Sequence, residues 1–317
     1  MFWHRLFLLT KEVPGVKLEY MEKNILIIGA RGMLGCDLMK VFQGLNPLGI
    51  DKEELDITSK EAVENFILEL KPILVINAAA YTDVGGCEQN QDLAMRVNGD
   101  AVGYLAKAAE KIGATLVHYS TDYVFDGKSP EGHKEDNEPK NPINFYGKSK
   151  LFGEKLLKEN CRNYYLIRTS WLFGRHGKNF VDTILKLGKE KEELKVVNDQ
   201  HGKPTYTMDL AKRTKELLDG KSPFGVYHIT NEGITSWYDY ALKIFEIYKQ
   251  LNPGQKLAKV VPCASAEYLR FTRRSFVKQN FCGSAKRPIW SILLNTKLPS
   301  SRPWEEALRD YLKNDKK

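Results

Sequence analysis

Tyr146 and Lys150 stand four residues apart in Tyr146-Gly147-Lys148-Ser149-Lys150. On a helix that separation puts both side chains on one face. A phenol with an ordinary pKa of about 10 exchanges protons poorly at neutral pH, but a nearby ammonium favours the phenolate and lowers that value. The pair therefore suits proton transfer, although an isolated tyrosine four residues before a lysine is more often a solvated helix face with a packed ring. About 115 residues upstream lies Gly29-Ala30-Arg31-Gly32-Met33-Leu34-Gly35. Glycines there let the backbone turn sharply and approach a pyrophosphate, whose charge would rest on the free N–H groups and positive dipole of a following helix. The spacing is G-x-x-G-x-x-G rather than G-x-G-x-x-G, so the turn alone is a weak signal. The two stretches together point to a nicotinamide-dependent oxidoreductase.

These residues need elements to hold them. Asn24–Ile28 is short, apolar and β-branched, the pattern of a strand buried on both faces, and Asp37–Phe42 reads as a helix. The alternation continues. A short strand ends at Leu48-Gly49-Ile50, and Thr58-x-x-Glu61 has the form of a capping box opening a helix over Lys60–Leu70. A strand at Ile73–Asn77, a long helix over Asp92–Lys111 stopped by Gly113, and a strand at Thr115–Ser120 follow. A loop over Asp126–Asn144 then leads to the helix Tyr146–Lys158 and the strand Tyr164–Thr169. Such alternation implies an α/β fold, a doubly wound parallel sheet of Rossmann type with right-handed crossovers. Ligands on such sheets sit beyond the carboxyl ends of the strands, so Gly29, Asn77–Ala80, Ser120–Tyr123 and Thr169–Trp171 should meet in one cleft. Past residue 171 the rhythm loosens into helices at Phe180–Lys189, Met208–Leu218, Trp237–Lys249 and Trp304–Lys313, with short apolar runs at Leu194–Val197 and Gly225–Ile229. The expected organisation is a leader over residues 1–20, a dinucleotide-binding domain over 21–170 and a smaller C-terminal substrate-binding α/β lobe over 171–317 with segments returning to the sheet.

Composition narrows the class. The 317 residues are 42% hydrophobic and 28% charged, ordinary for a globular protein with a sizeable core. No stretch approaches the ~18 apolar residues of a membrane span. Met1–Leu9 imitates a signal peptide, but Thr10-Lys11-Glu12 breaks its apolar run and no small-residue cleavage site follows; Met21 is an alternative start. Cys36, Cys87, Cys161, Cys263 and Cys282 form no C-x-x-C pair, which speaks against a zinc site or disulfide framework and fits a cytoplasmic location. The net charge of +8 is interleaved with glutamate, as in Lys186–Lys195, and reads as solvated faces rather than a nucleic-acid stripe.

More specific strings accompany the two motifs: Asn77-Ala78-Ala79-Ala80-Tyr81-Thr82, His118–Phe125, Arg168-Thr169-Ser170-Trp171, Asn198–Thr205, and Arg287-Pro288 with Ser291, Asn295 and Lys297. On these residues the chain, from about Lys23 to Tyr311, resembles the dTDP-4-dehydrorhamnose reductase family of extended short-chain dehydrogenases/reductases. The resemblance implies reduction of the C4 keto group of dTDP-4-dehydro-6-deoxy-L-mannose to dTDP-L-rhamnose by NADPH or NADH. Tyr146 would be the proton donor, Lys150 would bond the nicotinamide ribose, and Thr121 would hold the reacting oxygen. It places the cofactor along Gly29, Arg31, Gly32, Met33, Leu34, Gly35, Asp51, Lys52, Asp56, Ile57, Asn77, Ala78, Ala79, Ala80, Asn98, Ser120, Tyr146 and Lys150. Tyr81, Asp122, Tyr123, Trp171, Gln200 and Arg287 match substrate-contacting positions. Some members are Mg²⁺-dependent through acids at a homodimer contact, and the matching positions are Asp37, Glu190 and Glu305.

Two departures stand out: Gly85 occupies a position usually held by aspartate, and residues 267–285, with Arg270, Phe271, Arg273, Arg274, Phe276 and Phe281, do not match the short loop the family has there. Cofactor preference stays open, since Asp51 suits the ribose hydroxyls of NAD while Arg31 and Lys52 suit the 2′-phosphate of NADP, with a slight lean to NADPH. Two other readings remain. One is an epimerase or dehydratase of the same superfamily, although Thr121-Asp122-Tyr123 offers one acid where dehydratases carry two. The other is a non-catalytic NADP-binding subunit like the regulatory subunit of methionine adenosyltransferase, against which the retention of Tyr146, Lys150 and Thr121 argues.

Overall fold

Four consecutive apolar residues, all buried, make strand β1 (Ile25–Ile28). Helix α1 (Met33–Val41) follows directly on the glycine turn. The first half continues through β2 (Leu48–Ile50), α2 (Lys60–Leu70), β3 (Leu74–Asn77), the short α3 (Val84–Gln89) and α4 (Gln91–Met95), α5 (Ala101–Ile112), β4 (Thr115–Thr121), α6 (Phe145–Asn160) and β5 (Tyr164–Thr169). The second half adds β6 (Leu172–Phe173), α7 (Phe180–Glu190), β7 (Glu193–Val197), β8 (His201–Gly202), β9 (Thr205–Tyr206), α8 (Thr207–Asp219), β10 (Gly225–His228), β11 (Thr235–Ser236), α9 (Trp237–Leu251), β12 (Lys259–Cys263), β13 (Trp290–Ser291) and α10 (Trp304–Lys313). The computed structural model describes residues 24–268 and 285–313. The leader over 1–20, the alternative start at Met21, Cys282 and the six arginines and phenylalanines singled out in segment 267–285 lie outside the described residues.

Six strands form one parallel sheet in the order β10-β5-β4-β3-β1-β2. Because a strand presents alternate residues to opposite faces, each continuous apolar run is divided between two cores. Leu26, Ile28, Val75 and Leu116 pack on Val63 and Ile67 of α2 and Leu105 and Ala109 of α5. Ile25, Ile27, Ile76 and Val117 pack on Leu34 and Leu38 of α1 and Leu210 and Leu217 of α8. A third core, with Phe173, Val181, Leu185, Tyr240, Ile244 and Leu308, holds the C-terminal lobe. The lobe is thus not separate from the sheet, since β10 supplies its edge strand and α8 covers one face. No described helix is long and apolar enough to cross a membrane.

Two local expectations change. The capping box at Thr58 moves by one residue: the Ser59 hydroxyl accepts the Ala62 N–H at 3.3 Å, and Thr58 turns back to donate to Asp56 through both its N–H and its hydroxyl. The single helix over Asp92–Lys111 is α4 and α5 joined through a π turn at Arg96–Asp100. The extra residue in that turn carries Asn98, which is buried and fully engaged. Gly113 ends α5 in a left-handed conformation, φ 69°, as its position predicts.

Candidate active site

The sheet order reverses between β1 and β3, which opens a crevice at their carboxyl ends. Gly29 sits there with φ +80°, and a Cβ on it would lie 2.7 Å from the Ala79 nitrogen, so the loop can pass β3 only as glycine. A Cβ at Gly35 would meet the Gly29 carbonyl at 1.9 Å, which brings the start of α1 against the turn. Gly32 caps α1 without a side-chain hydrogen bond, and the first turn holds no acidic residue. The N–H groups of that turn have no intrahelical partner and face a positive dipole end, a fitting seat for a pyrophosphate.

At the rim of this seat, the two residues weighed as alternatives for the adenosine end form one ion pair. Arg31 donates to Asp51 from its backbone N–H (3.0 Å) and Nε (2.9 Å), and Nη2 reaches Glu53 at 2.7 Å and Glu54 at 3.0 Å. Lys52 stands exposed beside them. Of the other residues expected near the adenosine, the Asp56 carboxylate accepts from Thr58, and that bond, ahead of any other influence, holds it below its usual range. Ile57 is a core residue.

Behind the carboxyl ends of β3 and β4 lies a buried polar layer. Asn77 accepts the Ala79 N–H through Oδ1 at 3.1 Å, and its Nδ2 is 3.1 Å from His118 Nδ1. Asn98 accepts the Tyr81 N–H at 2.9 Å and donates to the Tyr81 carbonyl (3.0 Å) and Ser149 Oγ (3.1 Å), which ties the loop carrying Ala78, Ala79 and Ala80 to α6. The side chains of Asn77 and Asn98 are therefore braces for the loop, both about 1% exposed. Ser120 likewise turns away from the cleft and donates to Glu154 at 2.6 Å.

Helix α6 reaches the cleft because Asn144 caps it, accepting the Gly147 N–H at 2.8 Å, and because Gly147 lacks a side chain. A Cβ there would stand 2.1 Å from the Tyr123 carbonyl. That close approach sets Tyr146 beside the turn Thr121-Asp122-Tyr123, its ring edge-on to Tyr123 at 5.9 Å between centroids. Thr121 Oγ1 and Asp122 Oδ1 are 2.7 Å apart, and the Tyr123 N–H donates to Thr121 Oγ1 at 3.2 Å.

Lys150 is buried, and its ammonium donates to the Tyr119 carbonyl at 2.6 Å and lies 3.3 Å from His118 Nε2. Burial lowers its pKa to about 8, with the Glu154 carboxylate opposing the fall. The expected lowering of the Tyr146 pKa is not what this arrangement produces. Burial, then the Asp122 carboxylate, push the phenol above its ordinary value, and the Thr121 hydroxyl only partly opposes them. The reason is geometric, since the Lys150 head is drawn to a backbone carbonyl and a histidine of β4. The phenol thus keeps its proton at neutral pH, loaded as a donor but a weaker acid than one whose pKa lies near the working pH.

On the substrate side, Trp171 takes a left-handed backbone, φ 46°, and stacks on Trp237 with centroids 3.5 Å apart. Gln200 donates to Ser265 at 2.8 Å, and Arg287 Nη1 reaches Tyr123 Oη at 3.4 Å. Tyr81 packs over Gly86, where a Cβ would lie 2.2 Å from its hydroxyl. Gly85 lies in α3, which Asp83 caps through the Gly86 N–H.

The three acids matched to magnesium, which the resemblance brings together only at a dimer contact, form no cluster within this one chain. Asp37 is buried and accepts the Thr207 hydroxyl at 2.6 Å, and burial raises its pKa, so its carboxyl is committed inside the fold. Glu190 is exposed at the end of α7 and Glu305 lies in the first turn of α10 beside Gly233. Among the described residues no three potential ligands cluster.

Sequence reasoning gave no role to the network under α6. Glu154 binds Arg168 at two points (3.0 and 2.7 Å) and accepts from Ser120, while Arg168 stacks over Phe125 and lies 3.3 Å from His228 Nε2. Glu154 was findable, since it continues the four-residue spacing of Tyr146 and Lys150 along one helix face. His118 opens one of the family strings, but its spacing assigned it no role.

Residues 23–317 match the family described as the RmlD substrate binding domain. The dTDP-4-dehydrorhamnose reductase of Aggregatibacter actinomycetemcomitans is 38% identical over 300 residues, covering 90% of this chain and 97% of that protein. The crystal structure of a dTDP-4-dehydrorhamnose reductase from Clostridium acetobutylicum superposes with a TM-score of 0.83 at 42% identity, covering 92% of this chain and 99% of that one. The Bacillus anthracis dTDP-4-dehydrorhamnose reductase, solved in complex with NADP, gives 0.82 at 36% identity, with 93% and 100% covered.

Proposed function

Since the chain belongs to the dTDP-4-dehydrorhamnose reductase family, matched over residues 23–317, we propose that Tyr146, Thr121 and Lys150 carry out NADPH-dependent reduction of the C4 keto group of dTDP-4-dehydrorhamnose in the cleft above β1, β3 and β4. The observation that carries the assignment is the close seat of α6 on the Thr121–Tyr123 turn, which puts a protonated phenol beside a buried hydroxyl at the strand ends. The glycine turn would hold NADPH, which when bound would supply a hydride for the carbonyl carbon. Tyr146 Oη gives its proton to the carbonyl oxygen, and the Thr121 hydroxyl is the second donor that orients that oxygen. Lys150, anchored on the Tyr119 carbonyl, presents a cation at the ribose end of the nicotinamide. Two donors aimed at the oxygen where charge develops stabilise the transition state more than the ketone. Spectrophotometric oxidation of NADPH and NADH with dTDP-4-dehydrorhamnose, followed by identification of the sugar product, tests the reading. An epimerase or dehydratase would return the hydride and show no net NADPH consumption.

Gly32→Val separates a cofactor loop from a structural one. Gly32 is extended, φ −70° and ψ 168°, a conformation valine adopts, and a Cβ there would stand 3.1 Å from the Gly29 carbonyl oxygen, so the turn must give by a few tenths of an ångström and an unchanged thermal midpoint is the control for folding. The added methyls crowd the pyrophosphate seat, and NADPH affinity is expected to fall at least about tenfold, or ~1.4 kcal/mol. Fluorescence titration showing normal binding would leave the turn a purely structural role.

Arg31→Ala asks what the rim ion pair does. Its removal leaves Asp51, Glu53 and Glu54 facing the adenosine end uncompensated. NADPH affinity should drop about tenfold or more, because charge-assisted bonds to phosphate are the stronger class, while NADH affinity hardly moves. Equal losses for both cofactors would assign Arg31 to general electrostatics.

A further inference from the structure

We propose that Asp122 is a positioning residue that acts through Thr121: as a neutral carboxylic acid it donates its proton to Thr121 Oγ1 and so frees the Thr121 hydroxyl proton for the substrate's carbonyl oxygen. The proposal rests on the reductase reading only in naming that carbonyl as the receiver. A threonine hydroxyl has one proton and two acceptor lone pairs. One lone pair of Thr121 Oγ1 already takes the Tyr123 N–H at 3.2 Å, and the Tyr146 hydroxyl stands beside the same oxygen on the side where the substrate carbonyl would enter. The contact to Asp122 Oδ1, 2.7 Å long, decides the rest. Facing an ionised Asp122, the Thr121 proton is drawn to the carboxylate and a lone pair is left toward the substrate oxygen, which repels it. Facing a neutral Asp122, the second lone pair accepts from the acid and the Thr121 proton is available.

The surroundings favour the neutral acid. Asp122 is 4% exposed and Thr121 5%. Among the described residues no donor lies within hydrogen-bonding geometry of the buried Asp122 Oδ2; an orphaned oxygen is far more costly on a carboxylate than on a neutral acid. Among the described residues, the groups facing this carboxyl are Thr121 and Tyr123 on its own turn, Tyr146 on α6, and Ser291 on β13. Ser291 Oγ donates to the His201 carbonyl at 3.2 Å, and the Arg287 guanidinium reaches Tyr123 Oη at 3.4 Å. Burial pushes Asp122 up to about 7, with the Thr121 and Ser291 hydroxyls and then the Asp122 and Tyr123 N–H groups partly opposing the rise. The neutral acid also spares Tyr146 a neighbouring anion. Activity should therefore fail as pH rises through the Asp122 titration, before Lys150 loses its proton near 8.

Asp122→Asn tests this, because its amide donates to Thr121 Oγ1 at every pH. The readout is the shape of the kcat/KM profile, each variant normalised to its own maximum. The wild type is expected to fall about tenfold per unit above about 7, and the variant to hold until about 8, where Lys150 titrates. Infrared spectra of the unliganded protein provide a second measurement. A carboxylic-acid carbonyl band should be present below neutrality, disappear with a midpoint near 7, be missing in Asp122→Asn and move in Thr121→Val. An alkaline limb shared by wild type and Asp122→Asn, or the absence of any carboxylic-acid band that both substitutions alter, overturns the proposal; a band that neither substitution moves belongs to another buried acid such as Asp37. If the wild type fails to consume NADPH with the sugar nucleotide at any pH, the reductase reading falls and the infrared arm still decides the state of Asp122.

Discussion

Tyr146→Phe should lower kcat by about 100-fold or more, the usual scale for losing a positioned general acid. The phenyl ring keeps its edge-on packing against Tyr123, so only the proton is removed. NADPH affinity should change little, and the loss should appear in kcat rather than in KM, the mark of an interaction made in the transition state. Steady-state kinetics beside a fluorescence titration of NADPH would show both. Unaltered kcat would assign the proton to another group, and a parallel loss of cofactor binding would mean that the hydroxyl serves the ground state.

The second large effect falls on stability. Glu154→Ala leaves the Arg168 guanidinium, about 1% exposed, without its two-point partner, and removes the acceptor of Ser120. Breaking one side of a buried pair costs about 3–5 kcal/mol because the remaining charge is uncompensated. Burial works to raise the Glu154 pKa, but Arg168 and Ser120 outweigh it and hold the carboxyl below its ordinary value. With the folded value depressed, the contribution is present above the unfolded carboxylate pKa and is lost as pH falls through the folded one. The urea midpoint should therefore drop sharply at pH 7, and the difference between wild type and variant should shrink toward acid. Glu154→Gln, which keeps one acceptor and the volume, should lose less. An unchanged midpoint for Glu154→Ala would show that water reaches Arg168.

The Glu154 variants also reach the site, since the carboxylate supports the charge of Lys150, one turn away on the same helix. Its loss should lower the Lys150 pKa further. The face of α6 thus runs from the proton donor through the cation to the group that sustains the cation, and β4 and β5 supply the partners.

What the sequence determined by itself was the set of elements and the residues that could do chemistry. Strand β1, the glycine turn, α6 with Tyr146 and Lys150 on one face, and the strand-end residues of β3 and β4 all rest on short-range periodicity, which sequence displays directly. Where one residue decides a boundary, the reading slipped, as with the Ser59 cap and the π turn at Arg96–Asp100. The tertiary structure alone decided what each polar side chain does. Arg31 and Asp51, two rival cofactor ligands in the sequence, are one ion pair. Asn77, Asn98 and Ser120 brace the cleft from behind. The Lys150 head lies on Tyr119 and His118, so the Tyr146 phenol rises where a local argument had it fall. Strand and helix propensities act over a few residues. Protonation and hydrogen bonding are set by desolvation and by partners that the sheet order brings from distant strands.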